Sequence, residues 1–152
     1  MAIVRSAGTE IIRSATFSDI TDTTQYLIVG VQHHIYTVLS IIIRPTVLNA
    51  TTDKITITIL GYNSTGGTTN VDMPLFSSAI PINTTFVFND KFSFNGHEPT
   101  DFVGPMGDAT KQDAIADQGS GVTQYLRAYG DHSADRFKIH VTYISDIPFS
   151  YV

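Results

Sequence analysis

The sequence alternates between apolar and polar positions. The run KITITIL at 54–60 sets Ile55, Ile57 and Ile59 on one side and Lys54, Thr56 and Thr58 on the other. A period of two marks a strand with one buried face. The run RFKIHVTY at 136–143 repeats it, with Phe137, Ile139, Val141 and Tyr143 inward and Lys138, His140 and Thr142 outward. Residues 84–88 and 91–94 bring Phe86, Phe88, Phe92 and Phe94 within reach of a core, with Asn89-Asp90 as a turn or bulge between them. Residues 36–44 are more continuously apolar and β-branched. They predict a strand buried on both faces, or covered by the core on one and by a neighbouring chain on the other. Pro45 cannot donate to a ladder and is expected to end that strand. Further strands are predicted at 10–17, 25–30, 71–80 and 122–129, the third an edge or interrupted strand because of Pro74 and Pro81. About eight strands at this spacing predict an all-β fold, an antiparallel β-sandwich or jelly roll.

Polar connections separate these strands. Residues 49–53 form one, and Asn63-Ser-Thr-Gly-Gly67 reads as a hairpin tip where Gly66 and Gly67 supply positive φ. Gln32-His33-His34 is expected to connect two strands. Helical signal is confined to 108–117, where Asp108 would cap a short turn. Residues 95–121 hold Gly96, Pro99, Gly104, Pro105, Gly107, Gly119 and Gly121 with few apolar side chains. A connection this long is functional or disordered in most compact domains. Here it reads either as an arm lying across a neighbour or as a surface loop. The whole chain, 1–152, is expected to be one domain with an N-terminal arm at 1–9, this long loop and a C-terminal tail at 147–152. Both ends are apolar, with Ile3 and Val4 at one and Phe149, Tyr151 and Val152 at the other. Such ends fray unless tied down, so at least one is expected to dock on the body or on a neighbour.

Composition narrows the chemistry. The 152 residues are 42% hydrophobic and only 15% charged, against about 25% charged in an average globular protein. A net charge of -5 argues against direct nucleic-acid binding or an anionic membrane, since phosphate recognition needs a basic footprint. The absence of cysteine rules out disulfides and thiolate chemistry within these residues. No apolar run reaches the length of a membrane-spanning helix, and the first residues lack the features of a signal peptide. Synthesis in a host cytoplasm is expected. Asn49, Asn63 and Asn83 each start an Asn-x-Thr triplet. In a Thr- and Asn-rich chain, chance accounts for these better than glycosylation.

No catalytic or cofactor motif is present: no nucleophile elbow, zinc-protease helix, P-loop or dinucleotide fingerprint. The chain is therefore expected not to be an enzyme and to need no cofactor or metal. His33-His34 would need His97, His132 or His140 to build a metal site, and zinc asks for three or four converging ligands. Asp108, Asp113 and Asp117 lack the alternating spacing of a calcium loop. Asp131-His132 with Asp135-Arg136 reads as a hairpin turn, with Asp135 pairing with Arg136 or capping the turn, rather than an acid–base pair. Tyr125, Arg127 and Tyr129 share one face of a strand. Aromatic–Arg faces bind sugars or partner proteins, and they also form ordinary cross-strand ladders. Phe102 and Met106, inside the long loop, join the apolar termini as candidate contact residues.

The order of elements carries a resemblance. TTQYLIVG at 23–30 leads to the β-branched strand at 35–43 and the alternating strand at 56–60. Met73-Pro-Leu-Phe76, the aromatic run 85–88 and the closing strand 137–143 follow. This order, over residues 23–143, resembles small accessory virion proteins of tailed bacteriophages, although the 95–121 insertion and the lack of Gly-rich strand ends depart from it. The resemblance implies a jelly-roll-like structural protein on the capsid surface, a decoration or cement protein. It would clamp neighbouring copies of the major capsid protein and act as a homo-oligomer, a trimer by preference. A carbohydrate- or receptor-binding β module of the fibre-tip or lectin kind is the alternative. A metal enzyme on the same scaffold is a third, weakened because the Glu residues are only Glu10 and Glu98.

Overall fold

In the computed structural model of the chain, residues 10–99 and 121–146 are described, with Gly107, Ala109, Thr110, Gln112 and Asp113 between them. The strands are β1 (Glu10–Ile20), β2 (Gln25–Val29), β3 (Ile35–Val47), β4 (Ile55–Asn63), β5 (Thr68–Ser78) and β6 (Phe86–Phe88). They continue with β7 (Phe92–Asn95), β8 (His97–Pro99), β9 (Gly121–Thr123), β10 (Tyr125–Gly130) and β11 (Arg136–Asp146). Ala109, Thr110, Gln112 and Asp113 are helical.

The first sheet runs β1-β11-β3-β6, with β7 also paired to β3; the second runs β2-β10-β4-β5; β8 and β9 form a separate ladder. Among the described residues every strand pairing is antiparallel, for instance β1 with β11 and β4 with β5. Chain order crosses between the sheets at nearly every step, so strands adjacent in sequence face each other across the core. That ordering is a jelly roll. β6 and β7 occupy one edge position: both pair with β3, Phe88 opposite Ile41 and Phe92 opposite Val38. Asn89-Asp90 thus lies in a bulge of a single strand. With β6 and β7 taken as one, the two main sheets hold the eight strands the alternation predicts.

The inner faces follow the pattern. Phe137, Ile139 and Val141 of β11 are 0% exposed, as are Ile55 and Ile57 of β4. Tyr143, Phe88 and Phe92 pack against this core, and Phe94 belongs to it. β3 buries Tyr36, Val38, Ile41, Ile43 and Pro45, and the change of parity after Val38 falls at a register shift against β11. Its other face, through Thr37, Leu39, Ser40 and Ile42, is half-buried.

Five expectations change. β3 does not stop at Pro45. It runs on to Val47, because a register shift against Arg136 and Phe137 spares the proline a ladder hydrogen bond. Thr58 is 1% exposed although it occupies a polar position, since Arg127 Nε donates to its hydroxyl at 3.2 Å and covers it. At the hairpin tip Gly67 has φ 71°, and Gly66 is not in the positive region. Residues 122–129 make two strands, not one, broken at Gln124. The expected loop at 95–121 is drawn in at both ends by the β8–β9 ladder, His97 opposite Thr123 and Pro99 opposite Gly121.

Gly96 and Gly30 explain the break at Gln124. Gly96 N donates to His34 O (2.8 Å), Gln124 N to Gly96 O (2.9 Å) and Gly30 N to Gln124 O (2.8 Å). Three connections meet backbone to backbone, and a Cβ on Gly96 would overlap the Val31 carbonyl. The Gln124 side chain completes the knot, donating to Asn95 O at 3.0 Å, to Asn95 Oδ1 and to Glu98 Oε1 at 3.3 Å.

Candidate functional site

Of the residues singled out in the sequence, Ile3, Val4, Phe102, Met106, Phe149, Tyr151 and Val152 lie outside the described residues. Tyr125, Arg127 and Tyr129 are described, at half-buried alternate positions of β10. Between them Leu126 and Ala128 are 0% exposed, so strand alternation leaves the three on the outer face of the second sheet.

The tertiary structure enlarges this group. A register shift between β10 and β2 sets Tyr26 opposite Arg127, and the rings of Tyr26 and Tyr125 meet at 4.9 Å. From the far side β5 brings Asp72. Arg127 Nη2 donates to both its oxygens, at 2.6 and 2.5 Å, while Arg127 Nε donates to Thr58. The Arg127 and Asp72 side chains are 17% and 36% exposed. The guanidinium is thus held by a neutralising carboxylate, beside a tyrosine pair in which Tyr26 is 44% exposed. Such a face offers ring surface and fixed polar atoms without net charge. Tyr26 and Asp72 went unnoticed in the sequence because their place depends on which strands flank β10.

The histidines and Asp135 are held in local contacts, while Asp108 and Asp117 of the acidic cluster lie outside the described residues. His33 sits in the β2–β3 turn with φ 66°, and His34 stacks on Tyr36 at 6.2 Å. His97 pairs with Thr123 at 3.0 Å, and His140 with Thr16 at 2.6 Å on the outer face of the first sheet. Among the described residues no three His, Asp or Glu side chains gather as metal ligands would. Asp135 is 0% exposed and holds a turn: its oxygens accept from Asn49 N at 2.7 Å and His132 N at 3.1 Å. It caps the turn as one expectation held. Arg136 instead donates to the carbonyls of Ser133 and Asp135.

One end of the sandwich collects the points where the undescribed segments attach. Glu10 pairs with Asp146, Asp146 with Ile35, and Ile35 with Asn95, in one row across the first sheet. Residues 1–9 join at Glu10 and 147–152 at Asp146. Residues 100–120 join at the Pro99–Gly121 pair, tied to the same end by the glycine knot. Val29, Val31 and Ile35, also at this end, are 53%, 49% and 49% exposed.

No family model matches the chain, and no curated protein matches it. Among solved structures it is similar to a chain of the Bacillus endospore appendages, described as a novel family of disulfide-linked pili. The TM-score there is 0.42 at 10% identity, covering 99% of this chain and 100% of that one. It is also similar to chains in structures of infectious bursal disease virus. For the Gx strain the TM-score is 0.44 at 8% identity, covering 93% of this chain and 33% of that one. For the Gt strain it is 0.41 at 10% identity, covering 95% and 39%. These scores lie below 0.5, and neither fold nor function is inferred from them.

Proposed function

We propose that the chain is a structural virion protein, a decoration or cement subunit that stabilises a phage head by clamping neighbouring capsid subunits. The observation that carries the clamp is the convergence of three attachment points, at Glu10, Asp146 and Pro99–Gly121, on the one end that also exposes Val29, Val31 and Ile35. A rigid body with several contact segments on one side engages several neighbours at once, and each contact raises the effective concentration of the next. The virion setting rests on the resemblance in strand order. The working form is a trimer, matching the local three-fold symmetry of a shell. No catalytic step is assigned.

The experiment is co-sedimentation of the full chain with capsids, alongside its mass in solution. Saturable binding that weakens at least about tenfold in a V29D/V31D/I35D variant supports the clamp, since burying unpaired charge in a contact costs several kcal/mol. Absence from intact particles and failure to bind capsids would remove it.

A second reading, a carbohydrate-binding module, is favoured by the Tyr26–Tyr125 pair beside the Arg127–Asp72 fork. Glycan binding that is lost in Y125A, with no capsid binding, would put it first.

A further inference from the structure

At the end of the sandwich that carries Val29 and Ile35, an exposed cation stands on an inward-facing row. Arg13 pairs with Tyr143 across the β1–β11 ladder, two positions from Ala15, which pairs with Val141. Ala15 and Tyr143 both pack against the core, so the strand pleat turns Arg13 to the same side. It lines a cavity of about 240 Å³ between the two sheets. The wall from the second sheet is apolar, through Leu27, Ile28 and Val29. The wall beside Arg13 is polar, with Tyr36, Tyr143 and Ser145.

Tyr36 and Ser145 are 5% and 3% exposed. The Tyr36 phenol oxygen already accepts from Val31 N at 3.1 Å, which leaves its O–H as a donor. Burial raises the phenol's pKa, with the Val31 hydrogen bond and Arg13 acting against the rise, so it stays protonated at neutral pH. Among the described side chains, which do not include those of Glu10 and Asp146, no carboxylate forms an ion pair with Arg13. Arg13 is itself exposed, so its guanidinium stands solvated at the mouth of the half-apolar cavity, beside the buried hydroxyl donors, where it can receive an anion. The planar fork of arginine suits a carboxylate. A cavity of about 150 Å³ suffices for benzene, so this one has room for a ring with a head group.

We infer that this cavity binds a monocarboxylate with a compact apolar body, the carboxylate on Arg13 and the body against Leu27 and Ile28. The inference stands apart from the Tyr125 face; Val29 and Val31 line the cavity and also belong to the apolar patch of the clamp reading. Two sources supply the same chemistry: a free arylacetate-sized acid, or an acidic side chain beside an apolar one on a partner's loop.

The test is titration of the full chain with phenylacetate, with 2-phenylethanol as its neutral analogue, and with N-acetyl-Phe-Asp-amide, followed by amide chemical shifts. Phenylacetate or the peptide is expected to shift Val29, Val31, Tyr36 and Ser145. The alcohol is expected to bind about tenfold or more weakly, the ratio one charged hydrogen bond supplies. R13Q should abolish that ratio and leave alcohol binding unchanged. R13K, which keeps the charge without the fork, should fall between and serves if R13Q does not fold. Binding by phenylacetate but not the peptide identifies a free acid; tighter binding by the peptide identifies a partner's loop. Equal binding of acid and alcohol, shifts confined to other faces, or unchanged affinity in both Arg13 variants would overturn the assignment.

Discussion

Single residues decide this fold where backbone approaches backbone or where charge is held near charge. Gly96 is the clearest case, since any side chain there would meet the Val31 carbonyl. G96A is expected to cost about 3 kcal/mol or more, the scale of overpacking against a rigid neighbour, read from urea unfolding. Gly66→Ala, at an exposed turn with only the Asn63 side chain near, at 3.7 Å, should stay within about 0.5 kcal/mol. Asp53 makes a second case. Its carboxyl pKa is raised, first by desolvation and then by its hydrogen bond to Asp135, with Asp131 adding to the repulsion. The folded state therefore holds that proton more tightly than the unfolded chain. The stability this contributes is complete below the ordinary carboxylate range and is lost as pH rises through the raised value. D53N is expected to raise Tm at pH 7, with the gain shrinking toward pH 3. A variant less stable than the parent at pH 7 would refute the repulsion.

At the scale of elements, the strands divide into a dry centre and worked edges. Phe137 lies 0% exposed in β11, between β1 and β3. F137A is expected to cost about 3–5 kcal/mol by chemical denaturation. The edge where β5 faces β6 is closed differently. Phe76 meets Phe86 at 4.9 Å and Phe88 at 6.2 Å, joining the two sheets through aromatic rings, although Phe86 remains 38% exposed. A double-mutant cycle on Phe76 and Phe86 should give a coupling of about 0.5–1.5 kcal/mol; zero coupling would mean the rings merely share an edge. The first sheet's outer face is held by small polar pairs such as Ser14–Thr142 at 3.1 Å and Thr37–Ser93 at 2.9 Å. This accounts for the many threonines at outward positions without assigning them a ligand.

The whole molecule closes on itself late in the chain. β1 pairs with β11 from Glu10–Asp146 to Ile20–Phe137, so the first strand waits for the last. Such long-range pairing predicts folding in milliseconds to seconds, not microseconds, which stopped-flow refolding measures. The alternation of Ile55 and Ile57, of Phe137 to Tyr143 and of the Phe runs was enough to read strands, inward faces and the two-layer class, because a period of two has one physical meaning wherever one face is dry. The turn at Asn63–Gly67 and the break in the aromatic strand were legible for the same local reason. Local chemistry could not say which strands become neighbours. Pairing of β2 and β5 on either side of β10 and β4 is what adds Tyr26 and Asp72 to the Tyr125–Arg127 face. Closure of β1 on β11 is what sets Arg13, still exposed, beside Tyr143 on the inward-facing row and leaves the undescribed ends and insertion attached at one end. Hydrophobic periodicity fixes which side of each strand is buried; only the burial of all the strands together, through hydrogen bonds between residues more than a hundred positions apart, fixes what stands beside what.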